Sequence, residues 1–215
     1  QKAHKLFDKY HPIEIDPNFP LEKKKAKMHE WWKKHFDLLV KSGLSKELIQ
    51  RIVRERPLIF REGSLAFLSE LNSHSIPIVF MSAAPGDMLE EYLKFNELMF
   101  SNIEIISNRY DFDKKGRAVK IKEPIIHTFN KEEFSLKNNP VFRKIKNRKN
   151  VILLGDSLGD VGMAEGLDYK NIIKIGFYND PAEGSIEQFK KVYDVVLTGD
   201  QDFSFVNNLL EELVK

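Results

Sequence analysis

The chain has 215 residues, with 34 Lys and Arg against 32 Asp and Glu, no Cys and 42% hydrophobic residues, the composition of an ordinary globular protein. No apolar run approaches the roughly 18 residues that a membrane-spanning helix needs, and without Cys the chain can form neither a disulfide scaffold nor a Cys-ligated zinc site. A net charge of +2 gives no general attraction to nucleic acid polymers or anionic membranes.

The first 60 residues are predicted to form a small helical cap. Between residues 21 and 41, apolar side chains recur three or four residues apart, as on one face of a helix; they are Met28, Trp32, Phe36 and Leu39. Ser42 and Gly43 end this helix, and Ser45 begins another. No convincing strand occurs before residue 61.

Residues 61–215 are predicted to form an α/β domain, a Rossmann-like and mostly parallel sheet flanked by helices. Short β-branched runs at residues 76–80, 102–106, 151–154, 172–175 and 192–197 alternate with amphipathic segments at 62–74, 86–95, 158–166, 183–191 and 202–214. This alternation is typical of parallel strands joined by crossover helices. The turn sequence DKKG at residues 113–116 predicts a hairpin over residues 108–122, at the edge of the sheet.

The sharpest chemical signal is the sequence GDSLGD at residues 155–160, directly after a predicted strand. Open α/β sheets bind ligands outside the carboxyl ends of their strands, and a carboxylate there is a hard oxygen ligand suited to Mg²⁺. We interpret Asp156 as the direct metal ligand. Asp160 then binds through water or orients a neighbour. In the alternative interpretation, residues 155–157 only form a turn that caps the next helix.

A second strand end, MSAAPGD at residues 81–87, places a hydroxyl and small residues before a predicted helix. Small residues let backbone N–H groups approach an anion, and a helix N-terminus favours negative charge. Ser82 and Ala83 are therefore predicted to bind phosphate, unless Ser82 and Asp87 merely cap the helix. Lys131 is a third candidate, although a lysine taken alone is most often solvated.

These three pieces, in this order, resemble the second, third and fourth motifs of the haloacid dehalogenase-like phosphohydrolases: a strand-end Ser, a Lys and a strand-end acidic pair. More narrowly, the chain resembles the cytosolic 5′-nucleotidase III family of pyrimidine and 7-methylguanosine-phosphate nucleotidases. Five stretches from about residue 10 onward carry that resemblance: EIDP at 14–17, EWW at 30–32, MSAAPGD at 81–87, FNK at 129–131 and LGDSLGD at 154–160. The resemblance implies hydrolysis of nucleoside 5′-monophosphates (CMP, UMP or 7-methyl-GMP) with Mg²⁺ as cofactor.

The chain departs from this superfamily at its nucleophile. There, nucleophile and general acid are the two Asp of a D-x-D-x-T/V sequence that ends the first core strand. We expect that segment upstream of residue 1, which would leave the chain alone inactive. The DFD sequence at residues 111–113 is followed by Lys115 where a small β-branched residue is required and by Gly116 in a turn. We therefore predict that its carboxylates are solvated hairpin groups.

The resemblance also implies the mechanism and the site of the base. The upstream Asp attacks phosphorus to give an aspartyl-phosphate, its partner protonates the leaving ribose oxygen, and water hydrolyses the intermediate. Glu14 lies in the base pocket and His35 faces the substrate. Trp32, or its neighbour Trp31, can stack on a cationic methylated purine. From the residues alone, Glu14 could equally be a surface acid and both indoles could simply pack among the helices.

We expect a cytoplasmic monomer that binds a nucleoside 5′-monophosphate, no nucleic acid polymer and no membrane. The basic sequence RKIKNRK at residues 143–149 has no interleaved aromatic residues and is predicted to be a solvated helix and loop. Two other functions stay open. One is a catalytically incomplete protein that binds nucleotide or a partner on the same fold, and the other is a phosphatase for small sugar phosphates.

Overall fold

The computed structural model describes residues 2–134, 136, 139–179, 181 and 184–215. Its α-helices are α1 (Lys2–Ile15), α2 (Leu21–Lys41), α3 (Lys46–Glu55), α4 (Ser64–Ser73), α5 (Gly86–Phe95), α6 (Phe142–Ile145), α7 (Ile186–Val192) and α8 (Ser204–Val214). Its strands are β1 (Ile78–Pro85), β2 (Ile103–Asn108), β3 (Tyr110–Phe112), β4 (Ala118–Ile121), β5 (Asn150–Gly155), β6 (Asn171–Tyr178) and β7 (Val195–Thr198). Short 3₁₀ segments span Lys131–Glu133 and Leu158–Ala164.

The five parallel-strand predictions and the α/β fold class are confirmed, with shifted strand ends. β1 runs on to Pro85, so Ser82 and Ala83 are strand residues. The helix predicted at 158–166 is instead a 3₁₀ segment, because two glycines in it disfavour an α-helix. The predicted start of the helix at 183–191, Glu183, lies outside the described residues, and α7 begins at Ile186.

Helix α1 was not predicted because its sequence lacks a clear apolar face and contains Pro12. It is stabilised by packing instead: Tyr10 is fully buried, and its ring stacks on Trp31 of α2 with centroids 5.9 Å apart. Tertiary contact, rather than local propensity, therefore forms this helix. No helix in the described ranges is long and apolar enough to cross a bilayer.

The parallel strands form two separate sheets. β1 pairs with β2, and β5, β6 and β7 pair in that order. The two sheets share an apolar core, in which buried residues of α4, α8 and β6 meet partly buried residues of β1 and β5; its members include Phe67, Leu71, Val206, Leu210, Ile175, Ile78 and Ile152. The carboxyl ends of β1 and β5 carry the two predicted loops.

The predicted hairpin is present as β3–β4, but it forms its own two-stranded sheet and does not extend the edge of a parallel sheet. It packs against the helices α1–α3 of the predicted cap, here called the helical unit. Ser45, before α3, bridges to Arg117, and Ala118 N donates to Leu44 O at 2.8 Å. The apolar residues of α2, α3 and the hairpin form one cluster; it includes Phe36, Ile49, Val53, Tyr110 and Ile121.

Candidate active site

The acidic loop that follows β5 is wound around the carboxylate of Asp160. The backbone N–H groups of Asp156 and Ser157 donate to Asp160 Oδ2 at 2.9 and 3.1 Å. Gly155 allows this fold, since a Cβ there would lie 2.5 Å from the Cβ of Asp160. Asp160 is buried, so the loop presents a fixed carboxylate at the end of the strand.

Lys131 is the partner of that carboxylate. Its Nζ lies 2.5 Å from Asp160 Oδ1, and the two side chains are only 12% and 4% exposed. The alternative of a solvated lysine is therefore wrong. The pair joins residues 29 positions apart, and it brings the predicted lysine and the predicted acidic loop to one place.

Asp156 stands beside this pair and is exposed to solvent. Surrounding protein atoms and the neighbouring Asp160 carboxylate raise the pKa of Asp156, while Lys131 opposes that rise. Tyr193 closes the back of the loop by donating its hydroxyl to Ser157 O at 2.5 Å. Two carboxylates thus face one ammonium group, and the local excess of negative charge favours a cation.

The donor set fits a Mg²⁺ ion held by one or two protein carboxylates. Within the described ranges, no group of three or more His, Cys, Asp or Glu side chains could hold a metal. Asp160 already accepts hydrogen bonds on both oxygens, so its carboxylate suits orientation of the loop better than direct metal binding. Asp156 is then the carboxylate available to a cation, and its role as a metal ligand stays a prediction.

Ser82 and Ala83 occupy the end of β1. Ser82 Oγ accepts a hydrogen bond from Ala84 N at 3.1 Å, and Ala83 O accepts one from Asn108 Nδ2 at 2.7 Å. Helix α5 begins after Pro85 without a side-chain cap, so the capping alternative for Ser82 is wrong. In the described part of the chain no hydrogen bond joins Ser82 to Lys131 or to the acidic loop, and its phosphate role stays a prediction.

Glu14 reaches the loop that carries Lys131. Thr128 Oγ1 donates to Glu14 Oε1 at 3.0 Å, so Glu14 is not merely a surface acid. The ammonium group of Lys24 fixes the chain at the end of α1 by donating to the carbonyl oxygens of Glu14 and Asp16 at 3.0 and 2.7 Å. The helical unit thereby places the Glu14 carboxylate beside the loop that carries Lys131.

Trp32 and His35 pack on one another along α2, with ring centroids 6.0 Å apart. Trp32 also contacts Phe36, and its buried Nε1 has no hydrogen-bond partner among the described residues. Trp31 packs on α1 through Tyr10. Burial lowers the pKa of His35. The indole of Trp32 therefore carries an unpaired donor, while base contact by either residue stays a prediction.

The carboxylates at residues 111–113 are hairpin groups, as predicted. Asp113 accepts hydrogen bonds from Lys115 N and Arg117 N at 2.8 and 2.9 Å, and the Arg117 N–H is the main cause that lowers the pKa of Asp113. Asp111 lies 3.5 Å from the ammonium groups of Lys120 and Lys122.

Several residues that shape the site were not predicted. Asn130 organises the loop before Lys131, because its Oδ1 accepts from His127 N at 2.7 Å and its Nδ2 donates to Ile125 O at 2.9 Å. Asn130 lies in the FNK stretch at residues 129–131, so the family resemblance already marked its position. Thr128 and Tyr193 act across 114 and 36 positions of sequence, and no local pattern marks them.

Comparison with known proteins decides the family. A family model described as Pyrimidine 5′-nucleotidase (UMPH-1) matches residues 1–214. The chain belongs to this family. The relationship to the cytosolic 5′-nucleotidase III proteins, expected from the five stretches, is confirmed, and the chain is accordingly a hydrolase of the 5′-nucleotidase class.

Members of the family are similar to the chain in sequence and in fold. The chain is 40% identical over 212 residues to 7-methylguanosine phosphate-specific 5′-nucleotidase A of Xenopus laevis, which covers 98% of this chain and 73% of the relative. It is similar to the crystal structure of cytosolic 5′-nucleotidase IIIB bound to cytidine, with a TM-score of 0.85, 31% identity and coverage of 98% and 70% of the two chains. A HAD family hydrolase from Salmonella enterica serovar Typhi, with a TM-score of 0.62, 14% identity and coverage of 99% and 62%, supports the haloacid dehalogenase-like fold.

Proposed function

We propose that the protein hydrolyses nucleoside 5′-monophosphates to nucleoside and phosphate, with Mg²⁺ as cofactor and through an aspartyl-phosphate. The main support is the buried Lys131–Asp160 pair beside Asp156 at the end of a parallel strand, in a chain of a 5′-nucleotidase family. We also propose that the protein acts as a cytoplasmic monomer.

Each residue of the cluster has a separate task in this proposal. Asp156 would hold Mg²⁺, which when bound supplies positive charge next to the phosphate. Asp160 keeps the loop wound and keeps Lys131 oriented. The ammonium group of Lys131 and the hydroxyl of Ser82 bind the equatorial phosphate oxygens, which gather negative charge as the phosphoryl group is transferred. The residues therefore stabilise charge and hold the phosphate in place.

The aspartate nucleophile is proposed to lie on a strand outside residues 1–215. The sheet pairing supports this location. β1 is hydrogen-bonded to β2 alone and β5 to β6 alone within the described residues, yet both contribute to one apolar core. One edge of each strand is thus unpaired beside shared apolar packing, and a parallel strand inserted there would satisfy both.

We propose 7-methyl-GMP as the preferred substrate. The 40% identical relative is named for 7-methylguanosine phosphate, and the indole of Trp32 can stack on a cationic purine. Glu14 keeps one carboxylate oxygen on Thr128, which leaves its second oxygen to accept a hydrogen bond from the amino or imino group of a base. CMP is the comparison, since a similar solved structure is bound to cytidine.

The decisive experiment measures phosphate release by the full-length protein and its Asp156→Asn variant. We expect the variant to lose about 100-fold or more in Mg²⁺-dependent turnover, because electrostatic groups at the phosphate are worth several kcal/mol in such sites. Asp111→Asn is the matched control, since that carboxylate lies in the hairpin, and it should retain wild-type turnover. Near-normal turnover by Asp156→Asn would defeat the metal assignment.

The substrate proposal is tested on the same protein with 7-methyl-GMP, CMP, UMP and a sugar phosphate. We expect the highest kcat/KM with 7-methyl-GMP and very slow release of inorganic phosphate from the sugar phosphate. A preference for CMP would move the protein to the pyrimidine nucleotidases. Turnover of the sugar phosphate alone would contradict the proposed nucleotide substrate, and no turnover at all would contradict hydrolysis.

A further inference from the structure

The loop that carries Lys131 is held between the acidic loop and the helical unit. On the acidic side, Lys131 binds Asp160. Gly159 has no room for a side chain, because a Cβ there would collide with Thr128 O. A Cβ at Gly162 would lie 3.2 Å from the Cβ of Glu132 and 3.7 Å from its Oε2. The Glu132 side chain therefore lies against the 3₁₀ segment Leu158–Ala164, which carries Asp160.

On the other side, a single residue of α2 holds the two glutamates that follow Lys131. Lys25 Nζ lies 2.9 Å from Glu132 Oε1 and 2.8 Å from Glu133 Oε1. The Lys25 side chain is 20% exposed, and its hydrogen bonds to the two carboxylates raise its pKa. The ammonium group is thus fixed in its charged form, and each of the two carboxylates keeps one oxygen on it.

This arrangement matters because Glu132 and Glu133 bring two negative charges next to a predicted phosphate site. That site already holds Asp156 and Asp160 against one lysine. Unpaired, the two glutamates would repel a phosphate dianion and compete for the ammonium group of Lys131. Paired with Lys25, they are neutralised in part.

We infer that Lys25 is a positioning residue for phosphate binding: by holding Glu132 and Glu133, it keeps their carboxylates from competing with the substrate phosphate for the ammonium group of Lys131. This inference rests on the proposed function. It attributes part of the phosphate affinity of the loop that carries Lys131 to a charged residue on the helical unit, outside the predicted site.

The test compares kcat, KM and the inhibition constant of inorganic phosphate for the full-length protein and three single variants. Lys25→Met keeps the length of the side chain and removes its charge. It should raise KM and the phosphate inhibition constant about tenfold, because two carboxylates near the phosphate lose their counter-ion together, with little change in kcat. Lys25→Arg should behave as wild type. Lys27→Met is the control on the same helix, because Lys27 pairs with Glu30 within α2, and it should change neither constant.

A fourth variant separates an electrostatic role from a structural one. Adding Glu132→Gln and Glu133→Gln to Lys25→Met removes the charges that Lys25 neutralises, and it should restore KM and the inhibition constant to within about threefold of wild type. Wild-type constants in Lys25→Met, or no recovery in the triple variant, would overturn the inference. If the wild type releases no phosphate from any nucleotide, the proposed function fails. Calorimetric binding of inorganic phosphate to the same variants then decides the role of Lys25.

Discussion

At the scale of single residues, His127 lies buried in the loop that leads to Lys131. It is 2% exposed, and its Nδ1 accepts a hydrogen bond from Phe129 N at 3.2 Å. Burial is the main cause that lowers the pKa of His127 to about 4, and the nearby His29 and Lys25 contribute to the shift. The ring is therefore neutral at physiological pH.

This neutral histidine makes the stability of the protein dependent on pH. The pKa of the folded state lies below that of the unfolded chain, so protonation favours unfolding. The contribution of His127 is complete above about pH 6.5 and is lost as the pH falls toward 4, by up to about 3 kcal/mol. In His127→Asn, whose amide oxygen can still accept from Phe129 N, that dependence should vanish.

Urea unfolding of wild type and His127→Asn at several pH values between 4 and 7.5 measures the effect. The difference between their free energies of unfolding should fall as the pH decreases. Val119→Ala is the control, because it changes an exposed side chain that carries no titratable group, and its difference from wild type should not depend on pH. A constant difference for His127→Asn as well would show that the buried ring does not control acid stability.

The residues of the candidate site differ in how far local sequence predicts them. Asp156 and Ser82 lie at strand ends, and a strand end is a local pattern. The Lys131–Asp160 contact depends on how two distant loops pack, and only the family resemblance put the two residues in one site. Thr128 and Tyr193 carry no local signal, because a single hydroxyl looks the same whether it is solvated or bonded across the fold.

At the scale of elements, helix α3 shows how one side chain fixes a helix start. Ser45 Oγ accepts a hydrogen bond from Leu48 N at 3.1 Å, which satisfies one of the free N–H groups of the first turn. Local cues of this kind predict helix ends well: α5 spans Gly86–Phe95, the range expected from sequence. They fail for α1 and for the segment after β5, where packing and glycine decide.

Replacing Ser45 with Ala should destabilise the protein by about 1 kcal/mol, the usual cost of a lost N-cap. Ser42→Ala is the matched control, since the Ser42 hydroxyl bonds, among the residues that the structure describes, to Leu38 O alone at the exposed end of α2, and it should change the free energy of unfolding by less than about 0.5 kcal/mol. Urea unfolding measures both. Equal effects of the two variants would show that the cap does not determine the start of α3.

At the scale of the whole molecule, the helical cap expected over residues 1–60 shares one of its apolar clusters with later elements of the chain. Its buried residues on α2 and α3 join those of the β3–β4 hairpin and α5 in one cluster; Phe36, Val53, Tyr92 and Tyr110 belong to it. Hydrogen bonds at Ser45 and Leu44 tie the same surfaces. The sequence marked a change of composition near residue 60, but it could not show that the hairpin returns to complete the helical core.

Because α5 joins the helical core through Tyr92 and packs against β2 through Leu93, we expect the helical unit and the parallel sheets to unfold together. Trp31 and Trp32, the two tryptophans of the chain, lie on α2 and report unfolding of the helical unit by fluorescence, whereas far-UV circular dichroism reports unfolding of the entire chain.

Val206 of α8 is fully buried against the sheets. Val206→Ala should destabilise the protein by about 2 kcal/mol, and it should shift the fluorescence and dichroism transitions equally. Val119→Ala, at an exposed position of β4, should leave both transitions in place. A fluorescence transition that stays at its wild-type midpoint in Val206→Ala, while the dichroism transition moves, would mean that the helical unit is stable without the sheets.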